Sequence, residues 1–191
     1  MTSLKFLAIS GSLRRASHNT GLLRILPSLA PSGVAIDLYE GIGNLPLFNE
    51  DLETLPAPSA VAELRARVAA ADGVLIATPE YNSSIPGSLM NALDWLSRPV
   101  GASALLGKPV AVLGASPSQF GTARAQLVLR QVLHRIQAQV LDHPEVTVFR
   151  SYGRFDSEGA FLRDAMTEQL LGELLTGLVR MSRTDASARA V

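Results

Sequence analysis

The sequence predicts a three-layer α/β fold in which a five-stranded parallel sheet, ordered 2-1-3-4-5, lies between two layers of helices. Three observations predict it. Short, β-rich apolar runs alternate along the chain with segments of helical periodicity. Two of those runs, at 73–79 and 110–115, are apolar almost throughout, as strands covered on both faces must be. Neither an internal repeat nor an interdomain linker interrupts the alternation, and right-handed crossovers leave few other topologies. The chain's 191 residues suffice for one domain with a full core, and its 47% apolar content excludes disorder for most of the length. A single domain is expected over 1–182, with a polar, small-residue tail at 183–191 expected to be flexible.

Each element has its own signal. Residues 4–9 make a first strand broken only by Lys5. Leu22, Leu23, Ile25, Leu26 and Leu29 give helical spacing over 19–30, with Pro27 expected to kink or end that helix. Alternating Val34, Ile36 and Leu38 predict an edge strand at 34–39. A loop holding Pro46, Pro56 and Pro58 spans 41–58. Ser59 is expected to cap a helix reaching Ala71, with Val61, Leu64 and Val68 on one face. The buried runs lead through loops at 81–86 and 116–121 into helices at 87–96 and 122–137. A weaker strand is placed near Val140 or at 146–149. A long amphipathic helix over 159–182 runs through Leu162, Met166, Leu170, Leu174 and Leu178.

Composition narrows the function. A formal net charge of zero argues against a large basic face for nucleic acid. The absence of cysteine removes disulfides, thiol catalysis, Fe–S clusters and cysteine-based zinc sites, and suits a reducing, cytoplasmic setting. The first apolar run is too short for a signal peptide, and no stretch reaches the roughly 18 apolar residues of a membrane span. His18, His134 and His143 lie far apart without metal-ligand spacing, so no metal site is expected.

In doubly wound sheets a ligand sits beyond the carboxyl ends of the strands, at the switch point beside strand 1. That rule selects the loops at 10–18, 79–86 and 116–121. The first follows a buried strand and opens a helix, where backbone N–H groups and the helix dipole collect an anion. Ser10, Ser12, Ser17 and Asn19 add neutral donors, and Arg14 adds a charged fork suited to phosphate. A helix cap needs one hydroxyl; this loop carries several, plus Arg14 and Arg15. Neither Gly-x-Gly-x-x-Gly nor Gly-Lys-Ser/Thr is present, which disfavours an NAD-only dinucleotide domain and a P-loop NTPase. The second loop is stiffened by Pro79 and Pro86. The Tyr81 ring, the Asn82 amide and the backbone donors suit a planar heterocycle with polar edges. In the third loop, Gly114-Ala115-Ser116-Pro117-Ser118 lacks the last glycine of a hydrolase nucleophile elbow. Arg124 is either a surface arginine or a partner for Glu80, and Met90, Leu93 and Trp95 are either core or subunit interface.

Gly11-Ser12-Leu13-Arg14, Ser17-His18-Asn19, Pro79-Glu80-Tyr81-Asn82-x-Ser84-Ile85-Pro86-Gly87 and Asn91-Ala92-Leu93-Asp94-Trp95 together resemble the NADPH-dependent FMN reductase family. This family includes bacterial quinone, chromate and azo-dye reductases. The likeness covers about 5–148, and the second motif is long and specific. It implies a flavodoxin-like fold, bound FMN, and reduction by NADPH or NADH. Carried over residue by residue, Ser12, Arg14, Ser17 and Asn19 would hold the FMN phosphate. Pro79, Glu80, Tyr81, Asn82 and Ser83 would line the isoalloxazine, and Ser116 and Gly121 its other edge. His18 departs from the family, in which several relatives carry an aromatic or small residue there. The resemblance further implies ping-pong hydride transfer through flavin N5, with loop amides near Asn82 and Ser83 tuning the flavin and no obligatory catalytic side chain. Acceptors would be small molecules such as quinones, free flavin, azo dyes or metal oxyanions. The assembly would be a homodimer or homotetramer with flavin sites near subunit boundaries. An electron-carrier flavodoxin or a flavin-binding sensor without NAD(P)H activity is the competing reading. Flavodoxins are usually strongly acidic, whereas this chain is neutral.

Overall fold

The computed structural model describes residues 3–53 and 56–189. Six strands form one parallel sheet: β1 (Leu4–Ser10), β2 (Val34–Tyr39), β3 (Gly73–Ala77), β4 (Pro109–Ala115), β5 (Gln139–Val140) and β6 (Val146–Val148). Their order is β2-β1-β3-β4-β5, with β6 also paired to β4. The helices are α1 (His18–Leu29), α2 (Ser59–Ala70), α3 (Gly87–Leu96), α4 (Ala123–Arg135) and α5 (Ala165–Arg189). Successive strand residues face opposite sides, so the sheet builds two cores. Leu7, Ile9, Val74, Ile76, Val110 and Val112 pack with Val61 and Leu64 of α2, Trp95 of α3 and Leu129 of α4. Phe6, Ala8, Leu75, Ala77, Ala111 and Leu113 pack with Leu22 and Leu26 of α1 and Leu171 and Leu178 of α5. This is the flavodoxin-like arrangement that the strand pattern predicts.

The edge differs from the expectation of five strands. Both candidate segments for the weak strand pair with β4. Gln139 and Val140 lie beside Pro109 and Val110, and Val146 to Val148 beside Leu113 to Ala115. Pro144 lies between them and has no N–H to donate to a ladder, which splits the edge into two short pieces.

The last helix starts at Ala165, not near 159. Asp156 Oδ1 accepts from the amides of Glu158 (2.9 Å) and Ala160 (2.8 Å), a side-chain turn that competes with helix. Phe155 and Phe161 then bridge antiparallel, and Asp164 Oδ1 accepts from Thr167 N at 2.9 Å to start α5. Leu162 and Met166, expected on the apolar face, are therefore exposed at 54% and 73%. The helix continues to Arg189, past Ser182 where the sequence reading ended it. Residues 190–191 of the expected tail and 54–55 of the expected loop lie outside the described residues.

Three smaller expectations also change. Pro27 sits in the last turn of α1, which runs on to Leu29; so close to the end, the ring forfeits little helix. Pro58, not Ser59, is the N-cap of α2, and its carbonyl accepts from Val61 N and Ala62 N, both at 2.9 Å. The 41–58 segment contains two short 3-10 turns, Gly41–Asn44 and Glu50–Leu52. Trp95 and Leu93 are core, at 0% and 1% exposure, while Met90 reaches the surface. Trp95 Nε1 (2.8 Å) and Asn91 Nδ2 (3.0 Å) both donate to Pro46 O, and Phe48 N donates to Asn91 Oδ1 at 2.7 Å. These bonds explain the polar ends of the Asn91–Trp95 motif: they hold the long loop after β2 against α3.

Candidate functional site

The three loops selected by the strand-end rule meet in one place. The first is built by its own hydroxyls. Gly11 N donates to Ala77 O at 2.8 Å, which extends β1 along β3. Ser10 Oγ lies 2.8 Å from Thr20 Oγ1, and Ser12 N (3.3 Å) donates to Ser10 Oγ. Ser17 caps α1, accepting from Thr20 N at 3.3 Å. Among the described residues the amides of His18 and Asn19 take no part in that cap, and they lie at the positive end of the helix dipole.

Asn19 is buried and faces the third loop. Its Nδ2 donates to Ala115 O at 3.0 Å, and its Oδ1 accepts from Ala115 N at 2.9 Å. Both ends of this amide therefore grip the end of β4. Arg14 is exposed, and among the described residues it has no acidic partner.

In the second loop Tyr81 and Ser84 exchange both backbone hydrogen bonds at 3.0 Å, which leaves Asn82 and Ser83 as a two-residue turn. Both have positive φ, 51° and 63°. Tight turns of this hand favour Asn and Gly; a serine there holds about 1 kcal/mol of strain. The turn is exposed, and the Tyr81 ring stands beside it.

The family resemblance puts Glu80 along the isoalloxazine; in the structure its side chain is turned to α4. Its side chain is 4% exposed and pairs with Arg124. Its carboxylate accepts from Arg124 Nε (2.7 Å), Arg124 N (3.1 Å) and Ala125 N (3.2 Å). An anion at the start of α4 is well placed against the helix dipole. The Glu80 carboxylate thus ties the second loop to α4.

In the third loop, Ser116 Oγ accepts from Ser118 N at 3.2 Å, and Ser116 N donates to Val148 O at 2.9 Å. Gly121 is buried with φ of 58°, and a Cβ there would lie 3.2 Å from Thr147 Cβ. The residues of this loop that line the cavity are Ala115 and Pro117. Ser116 and Gly121 shape the loop from behind.

The shared cavity measures about 260 Å³. Ser12, Arg14, Ser17, His18 and Asn19 come from the first loop, Pro79 and Tyr81 from the second. Ser10 and Arg15 instead line an adjoining hollow of about 220 Å³ that shares Ser12 and Arg14. A roomier hollow of about 430 Å³ lies at the other end of β4, among Asp94, Arg98 and Arg135. It lies away from the carboxyl ends of the strands, so position rather than size selects the site.

Sequence reasoning missed a fourth contributor. The chain leaving β6 brings Ser151, Tyr152 and Phe155 to the rim. Tyr152 lines the cavity. His18 Nδ1 lies 2.8 Å from Ser151 Oγ, and its ring stacks on Phe155 at 4.4 Å and 8°. Burial, and then the Arg14 guanidinium, lower the His18 pKa from its ordinary value. The strand-end rule applied to the last strand would have found this segment, had β6 been fixed at 146–148.

An anion-collecting helix start beside a stiff, flat turn at the switch point suits a phosphorylated, planar cofactor, and defines a flavodoxin-like nucleotide-binding protein. Residues 4–152 match the family described as NADPH-dependent FMN reductase. An NAD(P)H-dependent FMN reductase of Pseudomonas aeruginosa is 45% identical over 171 residues, covering 90% of this chain and 91% of the relative. A quinone reductase of Escherichia coli K12 is 36% identical over 173 residues, covering 90% and 92%. The solved structure of FerB, a flavoenzyme NAD(P)H:(acceptor) oxidoreductase from Paracoccus denitrificans, superposes with a TM-score of 0.82 at 33% identity, covering 94% and 98%. The chain belongs to the NADPH-dependent FMN reductase family. It is an NAD(P)H-dependent oxidoreductase whose cofactor is FMN.

The amide clamp on β4 is a structural claim with its own test. Asn19→Ala leaves the buried N–H and C=O of Ala115 without their partner and is expected to lower unfolding stability by about 2–3 kcal/mol. Urea denaturation measures it. A loss under about 0.5 kcal/mol would mean that water replaces the clamp without cost.

Proposed function

We propose that the chain passes electrons from NAD(P)H to small quinone-like acceptors, with FMN held across the three loops. The observation that carries this reading is one cavity at the switch point that joins Ser12, Arg14, Ser17 and the start of α1 to Pro79 and Tyr81, the residues that lead into the Asn82–Ser83 turn. The donor set fits FMN: backbone N–H, hydroxyl and guanidinium for phosphate, and a rigid turn with outward amides for the edge of a flat ring. When bound, FMN supplies the hydride-accepting chemistry. The residues of this chain supply position. Ser12, Arg14 and Ser17, with the amides of His18 and Asn19, would hold the phosphate. Pro79, Tyr81 and the Asn82 and Ser83 backbone would flank the ring. Ser10, Asn19, Glu80, Ser116 and Gly121 support those groups from the second rank, through the bonds described above.

Quinone acceptors are supported by the E. coli relative, named a quinone reductase. A broad acceptor range follows from the pairing of Glu80 with Arg124, which leaves neither side chain free to select a substrate charge. The reading also includes a cytoplasmic setting, where NAD(P)H is available. Fractionation that left the protein outside that compartment would count against it. A homodimer or homotetramer is supported by exposed apolar side chains near the site, Tyr81, Met90, Phe120 and Leu127.

Arg14→Ala is expected to weaken FMN binding by about 1.5–3 kcal/mol, the range for a hydrogen bond to a charged group, with little change in folding stability. Isothermal titration of the flavin-free protein checks this, and unchanged affinity would remove Arg14 from the site. Steady-state kinetics should be ping-pong, with parallel double-reciprocal lines for NAD(P)H against a small quinone, because one groove must serve donor and acceptor in turn. Intersecting lines, or a flavin that is not bleached by NAD(P)H under nitrogen, would favour the electron-carrier reading. Light scattering at micromolar concentration should give a multiple of the 20.3 kDa chain mass. A monomer would refute the assembly.

A further inference from the structure

We propose that His18 is a phosphate-binding residue of the FMN site, its imidazole taking up a proton from solvent on Nε2 as the cofactor's phosphate arrives. The proposal rests on the phosphate lying at the start of α1, as proposed above.

The geometry assigns the two ring nitrogens different tasks. His18 is the first residue of α1, and its ring is held on one face by Phe155 and at its edge by Tyr152, whose ring centroid is 6.0 Å away. Nδ1 lies 2.8 Å from Ser151 Oγ. That hydroxyl can accept from Nδ1–H, which leaves Nε2 as the basic nitrogen. Nε2 has no hydrogen-bond partner among the described residues, while His18 lines the cavity that contains Ser12, Arg14 and Ser17. A buried, oriented imidazole with one nitrogen satisfied and the other unpaired is a donor in waiting for an anion.

Charge around the ring points the same way. The ionisable groups that share the cavity with His18 are Arg14, Tyr81 and Tyr152. No carboxylate lines it among the described residues, so nothing in the cavity holds an imidazolium before the ligand arrives. Burial and Arg14 both favour the neutral ring in that state. A phosphate monoester carries a charge of about −1.5 to −2 near neutral pH, and it outweighs the single positive charge of Arg14. Binding therefore raises the His18 pKa. The linkage has a definite sign. FMN affinity is highest below the pKa of the free protein, falls as pH rises through the interval between the free and bound values, and levels off above the bound value. Each unit of that interval is a factor of ten in affinity. Riboflavin, which lacks the phosphate, should show none of this.

The test uses the full chain freed of flavin, titrated calorimetrically at pH 7.5 with FMN and with riboflavin. Two phosphate-free buffers of different ionisation enthalpy report proton uptake. Uptake is expected with FMN and not with riboflavin, and it should vanish in His18→Phe, which keeps an aromatic ring against Phe155. Between pH 5 and 8.5 the wild-type affinity should fall by about tenfold more than that of His18→Phe, for a pKa rise of about one unit on binding. FMN binding without uptake, equal uptake with riboflavin, or uptake retained in His18→Phe would overturn the assignment. Failure of FMN to bind at all would instead overturn the placement of the cofactor. Should His18→Phe not fold, nitrogen NMR of the wild-type ring decides: an imidazole still neutral in the FMN complex at pH 6.5 sinks the proposal.

Discussion

The site depends on one side chain that touches two strand ends' worth of structure. Asn19 lies in the first turn of α1 on one side of the sheet's switch point, and through both ends of its amide it holds the backbone of Ala115, the last residue of β4. Ala115 is two strands away from β1 in the sheet, with β3 between them. Without that span, the first loop would lose its direct bonds to the end of β4. With it, the start of α1 is pinned against the end of β4, and the cavity between them has a fixed width. The same bonds satisfy a buried N–H and C=O that the sheet leaves open where β4 ends. Cavity and fold stability therefore share an interaction.

A second tie uses charge. The Glu80 carboxylate caps α4 and binds Arg124, so the second loop is anchored to the helix that follows the third. The positive φ values at Asn82 and Ser83 persist because the flanking pair, Tyr81 and Ser84, closes the turn with two hydrogen bonds. Strain at the tip and anchorage at the base belong together. A loop held only at its tip would relax into a less strained shape. The second loop is consequently anchored at both tip and base, and the Glu80 carboxylate is turned to α4. The groove's lining is neutral or basic, which suits an anionic cofactor.

Much of this was legible in the residues. Apolar runs and helical spacing give the sheet order, because a strand buried on both faces has few acceptable compositions. The three loops follow from the strand-end rule, and the family motifs follow from Ser12, Arg14, Ser17, Asn19 and the 79–87 segment. What misled was local competition. A helical pattern through Leu162 and Met166 gave way to the Asp156 turn and the Phe155–Phe161 bridge, whose polar bonds are invisible to apolar periodicity. The apolar end of the 91–95 motif proved to be core, because the long loop after β2 folds back and covers Trp95.

Residue type alone determined that an anion and a planar ring could be bound here, since hydroxyls, arginines and a proline-stiffened turn stood at the predicted strand ends. It did not determine which of those residues face the ligand. Glu80 and Asn19 sit in the selected loops, yet their side chains bond to Arg124 and Ala115, partners that only tertiary packing brings near. His18 is the converse case. Isolated in the sequence, it becomes part of the site because the chain leaving β6 delivers Ser151 and Phe155 to its ring across 133 residues. The physical reason is the same in both directions. A polar side chain's role is set by its nearest unsatisfied partner, and in a parallel sheet that partner comes from a distant crossover rather than from the neighbouring sequence.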